Sequence, residues 1–149
     1  MDPWIVAGIF AGLVIVASVI GLVARLRAGR VQEVRGFRLV HSVELATKEP
    51  FGSAATFVQF STEMCSRCPA TRALLIRVAQ EHSGVRHIEV DITHRPDIAS
   101  SFNILQTPTT LVLDNSGAIA ARIGGAPRPE AVRTALDIAL RRDHGNYVI

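Results

Sequence analysis

Apolar residues follow two different patterns along this chain, and the first is one unbroken run. Residues 4–24 (WIVAGIFAGLVIVASVIGLVA) contain neither a charge nor a proline. A helix over this run, at about 1.5 Å per residue, is about 30 Å long and matches the hydrocarbon core of a bilayer. We therefore predict a transmembrane helix over residues 4–24. A cleaved signal peptide is the alternative, but it carries a basic segment before a shorter run, whereas the only charge before this run is Asp2.

Beyond the basic residues that follow this run, short apolar stretches alternate with amphipathic ones. Stretches rich in β-branched and aromatic residues predict strands at residues 37–40, 55–60, 85–92, 109–113 and 118–123. Helical spacing predicts helices at residues 69–82, 94–102 and 130–142. A turn signal at residues 114–117 joins the last two strands into a hairpin. Strands that alternate with helices predict an α/β domain over residues 39–143, followed by a C-terminal tail at 144–149.

The net charge of +3 belongs to one short segment of the chain. This segment, residues 25–38, is called the basic collar here, and its five arginines outnumber one acid, Glu33. The arginines are Arg25, Arg27, Arg30, Arg35 and Arg38. Residues 39–149 hold eleven basic and eleven acidic residues. A neutral domain lacks the basic stripe that follows phosphates, so we exclude nucleic acid as a partner.

The basic collar also predicts how the chain lies in a membrane. Positive residues beside a membrane helix stay preferentially on the cytoplasmic side, and here all of them follow the apolar run. We therefore predict a single-pass protein of the cell membrane with the collar as a juxtamembrane linker and the domain in the cytoplasm. An outward-facing domain is the alternative. Gly8 and Gly12 have the GxxxG spacing that lets membrane helices pack closely, which leaves a homodimer through this face open.

The only two cysteines, Cys65 and Cys68, lie between a predicted central strand and a predicted helix. Backbone amides and the helix dipole stabilise anions at a helix N-terminus, so we expect a lowered pKa at Cys65. Cys68, one turn further on, is spaced to resolve a mixed disulfide formed by Cys65. Arg67 adds positive charge that favours the same thiolate. The pattern predicts thiol–disulfide exchange that needs no metal or organic cofactor.

Two structural roles for the cysteines compete with redox chemistry. A zinc site needs four ligands, and the chain has no second cysteine pair. Completing such a site would require His82, His87 and His94 to converge from a helix end, a strand and a loop. A static structural disulfide is the other alternative, and it is poorly suited to a cytoplasmic compartment.

A known family carries the same arrangement over nearly all of residues 39–143. The chain resembles the thioredoxin family in two runs, FVQFSTEMCSRCPATRALL and VDITHRPDIASSFNILQTPTTLVLDNSGAIAARIGG. The resemblance implies a thioredoxin-like fold, with a central mixed sheet flanked by helices, and a redox-active CxxC pair. It also implies a cis bond before Pro108, with Thr107 pairing with an extended substrate strand and Gly124 letting that substrate approach. Protein disulfides as substrates and a reductase as electron donor follow from the same resemblance.

The chain departs from the family pattern around the cysteines. Met64 replaces a tryptophan, and Ser66-Arg67 replaces Gly-Pro, which leaves the reduction potential and the direction of exchange open. Gln59 replaces a buried aspartate and cannot accept the proton of the resolving thiol, so water or Glu63 would have to do so. A core amide bonded to the backbone is the structural interpretation of Gln59.

We predict a membrane-tethered thiol–disulfide oxidoreductase that acts on membrane-proximal protein disulfides, since tethering raises the effective concentration there. One alternative is an outward-facing domain that handles disulfides or serves cytochrome maturation. The other is a binding subunit of a membrane complex with little turnover, which the changes at Gln59 and Met64 favour.

Overall fold

A computed structural model describes residues 2–145, and five strands form one mixed sheet within them. The elements are α1 (Pro3–Arg27), β1 (Val31–Glu33), β2 (Ala55–Ser61), α2 (Cys68–Gln80), β3 (Val85–Asp91), α3 (Pro96–Ser101), β4 (Thr109–Asp114), β5 (Ile119–Gly124) and α4 (Pro129–Gly145). The strand order is β1-β5-β4-β2-β3, with β2 and β3 parallel and the other neighbours antiparallel. This is the predicted α/β architecture.

Apolar layers cover both faces of the sheet and bury β2 along its whole length. Phe57 packs in the layer shared with α2 and α4, and Phe60 packs in the opposite layer beneath α3. The ring of Phe60 lies 5.4 Å from that of Phe102, centroid to centroid. A strand covered on both faces is usually rich in apolar residues, and four of the seven residues of β2 are apolar, while Thr56, Gln59 and Ser61 are buried polar residues. The carboxyl end of β2 is therefore held in a rigid frame, and the cysteine loop follows directly from it.

The prediction for the N-terminal part of the domain was wrong in detail. The predicted strand at 37–40 is reduced to one bridge, between Leu39 and Ala118. The first strand is β1 instead, which lies inside the basic collar and pairs Val31 with Ile123. A segment of three residues is too short to show the alternation of apolar and polar positions that predicts a strand. β1 forms because it pairs with the otherwise free edge of β5.

The other boundaries differ by a few residues. α2 begins at Cys68 itself, and α4 continues through Gly145, three residues beyond its predicted end and into the predicted tail. Residues 146–149 of that tail lie outside the described part of the chain.

α1 lies apart from the core of the domain. None of its residues is buried, and its last turn carries Arg25 and Arg27. Gly8 and Gly12 have open space around them in the described structure. By its length and composition α1 is able to cross a membrane, a test that signal sequences also pass.

Candidate redox-active site

Cys65 and Cys68 form a disulfide where the chain leaves β2 and enters α2. The Cys65 amide donates to the Thr62 carbonyl over 3.1 Å, and the Cys68 amide donates to the Cys65 carbonyl over 3.3 Å. These bonds fold the segment into two successive turns. Cys68 is only 3% exposed, whereas Cys65 is half-buried. Cys65 is therefore the member of the pair that another protein can reach.

The amino end of α2 keeps its positive character beside the disulfide. Within the described chain, the N-cap residue Arg67 makes no side-chain capping bond, and the first turn of α2 carries no acid. The first amides of a helix lack partners inside the helix, so this end attracts negative charge. A thiolate formed at Cys65 would lie next to it, together with the exposed side chain of Arg67.

The loop before β4 approaches the cysteines from the other side. Its Thr107–Pro108 bond is cis, as the family resemblance implied. The hydroxyls of Thr62 and Thr107 lie 3.2 Å apart. A surface pocket of about 410 Å³ is lined by side chains that include Cys65, Arg67 and Thr107. The structure thus brings these predicted site residues together.

Gly124, at the end of β5, adjoins the same loop. It is in register with Thr109, and the Gly125 amide donates to the Pro108 carbonyl over 2.8 Å. A Cβ at Gly124 would lie 2.6 Å from the side-chain nitrogen of Gln106. Gln106 therefore covers this glycine. Gln106 was not predictable as part of the site, because an exposed loop glutamine carries no pattern of its own.

Arg122 supports the loop from below and was also missed. Its guanidinium donates to the Phe102 carbonyl over 2.9 Å and to the Asn103 carbonyl. Burial lowers the pKa of this guanidinium from its ordinary value. These hydrogen bonds satisfy two backbone carbonyls that follow α3, and they hold the start of the cis-proline loop in place.

Gln59 is fully buried and links the disulfide to β3. Its side-chain amide donates to the Cys68 carbonyl over 3.0 Å, and its side-chain oxygen lies 3.0 Å from Nε2 of His87. The structural interpretation, a core amide bonded to the backbone, accounts for one of these bonds. In the sequence, His87 stands out only as a candidate zinc ligand. Its role becomes visible through the parallel register of β2 and β3, which pairs Phe57 with His87 and Gln59 with Glu89 on one face.

Burial lowers the pKa of His87 from 6.5 to about 4, an effect that Glu89 opposes and Arg72 reinforces. The imidazole is therefore neutral near pH 7. Because the Gln59 side-chain oxygen can only accept, the neutral ring carries its proton on the facing Nε2, while the Gln59 NH₂ group donates to the Cys68 carbonyl.

This pKa shift predicts a pH-dependent stability. Between pH 6.5 and about 4 the unfolded chain binds a proton at His87 that the folded chain does not. The contribution of neutral His87 to the free energy of unfolding is therefore fully present above pH 6.5 and is lost as the pH falls towards 4. The full shift corresponds to about 3 kcal/mol, and solvent contact reduces this to about 1–2 kcal/mol. We expect urea unfolding in detergent to show this loss. His87→Gln keeps a donor without titrating and should lack this part of the loss; parallel pH curves for both proteins would contradict the prediction.

Glu63 lies on a second groove, of about 790 Å³, that Cys65 and Cys68 also line. Its backbone amide donates to the Thr93 hydroxyl over 3.0 Å, and its side chain is exposed. The groove also contains Glu89 and Asp91. Cys68 therefore has a solvent-connected side, lined by carboxylates, through which its proton can leave.

The histidines proposed as zinc ligands lie apart from one another. A ring nitrogen of His82 lies 3.0 Å from the Val78 carbonyl, His87 is engaged with Gln59, and His94 is exposed in a loop. Among residues 2–145, no group of three or more His, Cys, Asp or Glu side chains is arranged to hold a metal. The zinc alternative therefore has no geometric support there.

The site combines an accessible cysteine with a buried one, between a central strand and a helix and beside a cis-proline loop. This arrangement defines an α/β protein with a redox-active disulfide. The thioredoxin family profile matches residues 45–137. The chain belongs to the thioredoxin family and is a thiol–disulfide oxidoreductase with a CxxC pair. The matched region covers most of the domain and includes neither α1 nor the basic collar.

Individual relatives agree with this assignment. Thioredoxin C-2 of Corynebacterium nephridii is 32% identical over 72 residues, 48% of this chain and 67% of that protein. Thioredoxin of Mycoplasma genitalium is 26% identical over 102 residues, 68% of this chain and 94% of that protein. The oxidized mitochondrial thioredoxin 3 of Saccharomyces cerevisiae aligns with a TM-score of 0.50 at 24% identity, over 57% of this chain and 78% of that one. This last similarity supports the fold alone.

Proposed function

We propose that this protein is a membrane-tethered oxidoreductase that reduces or exchanges protein disulfides at the cytoplasmic face of the cell membrane. The observation that carries the proposal is the Cys65–Cys68 disulfide, with one accessible and one buried member, beside the cis-Pro108 loop. α1 supplies the membrane anchor and the basic collar sets its orientation.

The exchange proceeds in two sulfur-transfer steps. The Cys65 thiolate attacks a substrate disulfide, which forms a mixed disulfide and releases one substrate thiolate. Cys68 then loses its proton and attacks the sulfur of Cys65, a step that its Cα–Cα separation of 5.5 Å allows. The second substrate thiolate leaves, and Cys65 and Cys68 are oxidised to their disulfide. Two electrons pass to the substrate, and a partner reductase restores them.

Gln59 acts in this scheme by position. Its amide bonds to the Cys68 carbonyl and not to the sulfur, so it holds the backbone of the resolving cysteine in place. The proton of Cys68 leaves through the groove that Glu63 lines, to water or to that carboxylate. Arg67 favours the thiolate state of Cys65 through its positive charge.

The Thr107 backbone and Gly124 form the path along which an extended substrate strand lies. Gly124→Val would place a side chain against Gln106 and narrow this path. We expect KM for insulin to rise about tenfold with a smaller change in kcat, because binding is lost while the cysteines are unchanged. Gly124→Ala, with a smaller side chain, should show a smaller rise. A KM unchanged in both variants would contradict the role of Gly124.

A topology experiment tests the tether. The full chain should float with liposomes after an alkaline wash. A reporter that works only in the cytoplasm should be active when it is fused to the C-terminus. Recovery in the soluble fraction would contradict the anchor. An outward reporter would contradict the proposed side of the membrane and support disulfide handling outside it.

A further inference from the structure

The end of α1 and the CxxC pair lie at the same edge of the sheet. β1 starts beside the end of β5, and β5 ends beside the start of β4. β4 in turn starts beside the end of β2. Four connections therefore converge at one end of the sheet, which we call the redox edge. They are α1–β1, β2–α2, α3–β4 and β5–α4. The first connection follows the anchor, the second contains Cys65 and leads to Cys68, the third contains the cis-proline, and the fourth begins directly after Gly124.

Close backbone contacts join the anchor to this edge. The Gly29 amide donates to the Gly124 carbonyl over 2.7 Å, and the Gly125 amide donates to the Pro108 carbonyl over 2.8 Å. Gly29 has a φ of +75°, and a Cβ there would lie 2.5 Å from the Ala126 carbonyl oxygen. Only glycine fits such a position without strain. The chain therefore leaves α1 in direct contact with the segment that borders the cis-proline.

The junction is short and continues into the sheet. Residues 28–30 separate α1 from β1, and three extended residues span about 10 Å at most. The ladder continues from Val31, opposite Ile123, to the Val34 amide, which donates to the Ala120 carbonyl over 3.1 Å. The basic collar is thus partly a strand of the domain. It does not act as a flexible tether, so the domain is held close to the bilayer by its redox edge.

The exposed side chains of this edge suit a membrane surface. Met64, next to Cys65, is 92% exposed, and Leu105, in the cis-proline loop, is 86% exposed. Arg25 and Arg27 lie in the last turn of α1, where long basic side chains reach the headgroups. Gly29 follows only two residues later. The redox edge therefore begins at the headgroup level and presents apolar side chains beside its reactive cysteine.

We propose that the redox edge faces the bilayer, so that the substrates are cystines within about 10 Å of the membrane surface, in juxtamembrane segments of integral membrane proteins. The inference rests on the proposed function, because it requires α1 to span the membrane. The chemistry is the two-electron exchange already described. The short junction between α1 and β1 adds a preference for substrate cystines that lie close to the bilayer surface, which we call selection by height.

Two single-span peptides in the same vesicles test this selection. One carries a cystine loop directly after its membrane span, and the other carries it on a semi-rigid helical spacer of about 30 Å. We expect the full chain to reduce the near cystine at least about tenfold faster, through its higher effective concentration. Inserting a Gly/Ser segment of about 12 residues after Arg27 leaves β1 paired and adds a reach of about 20 Å. This variant should reduce both peptides at rates within about twofold of each other.

Fluorescence measures the orientation independently. The chain has one tryptophan, Trp4, so Trp4→Phe gives a silent background. In that background, Leu105→Trp should be quenched by lipids with spin-labelled headgroups more strongly than Asn115→Trp, which lies in the turn at the opposite edge of the sheet.

The possible outcomes separate the two claims. Failure of the full chain to float with vesicles refutes the tether and, with it, the selection by height. Flotation with equal rates on both peptides, or with equal quenching at residues 105 and 115, overturns the orientation of the redox edge and leaves the tethered oxidoreductase intact. As a control, insulin turnover in detergent should be the same with and without the insertion, because the insertion lies outside the domain's strands and its cysteine site.

Discussion

In Cys65→Ser, the rate of insulin disulfide reduction should fall to the rate with dithiothreitol alone. The rate that the protein adds to this background should fall by at least about 10³-fold. Cys65 is the accessible member of the pair, whereas Cys68 is 3% exposed and forms the first residue of α2. A serine hydroxyl does not attack disulfides under these conditions, because the thiolate is the nucleophile of this exchange. The measurement is insulin turbidity with a fixed supply of dithiothreitol.

The Cys65→Ser variant should also form no mixed disulfide with protein substrates. Cys68 remains in that variant, but its burial keeps an incoming disulfide away from its sulfur. Turnover above the free-dithiol rate, or a covalent complex formed through Cys68, would contradict the assignment of Cys65 as the attacking residue.

Cys68→Ser should have the opposite effect on covalent complexes, although it removes the same disulfide. Cys65 still attacks, but no second thiol is present 5.5 Å away to release the substrate. We expect a mixed disulfide to accumulate, visible as a shifted band on non-reducing gels that dithiothreitol removes. Catalytic turnover should fall by at least about 10²-fold, since release then depends on external thiol.

The two cysteine variants are matched controls for each other. Each loses one sulfur and the same small disulfide loop, so any general loss of stability is shared. Trapping by Cys68→Ser alone would establish the order of attack. Trapping by Cys65→Ser alone would reverse the roles of the two residues.

Elements with a strong local pattern were predictable from the sequence. β2 is rich in apolar and aromatic residues because both of its faces are covered, and α2 begins beside a proline that suits a first helical turn. The CxxC spacing and its place between these elements indicated the chemistry. The cis bond before Pro108 followed from the family resemblance, since no local rule distinguishes it from other prolines.

Features that depend on distant contacts were not predictable. His87 is 28 residues from Gln59 in the sequence, and its role becomes visible only through the register of β2 and β3. β1 owes its place to the edge of β5, and Gly29 owes its backbone to a contact with Gly124 and Ala126. The basic collar was read as a linker because its arginines dominate its composition, whereas strand pairing depends on its backbone.

The rate of insulin reduction by catalytic amounts of the full chain in detergent, compared with dithiothreitol alone, tests the proposed oxidoreductase most directly. We predict an acceleration that is proportional to protein concentration and absent in Cys65→Ser. A rate equal to that of free dithiol would contradict catalysis and would instead support a thioredoxin-fold binding subunit of a membrane complex.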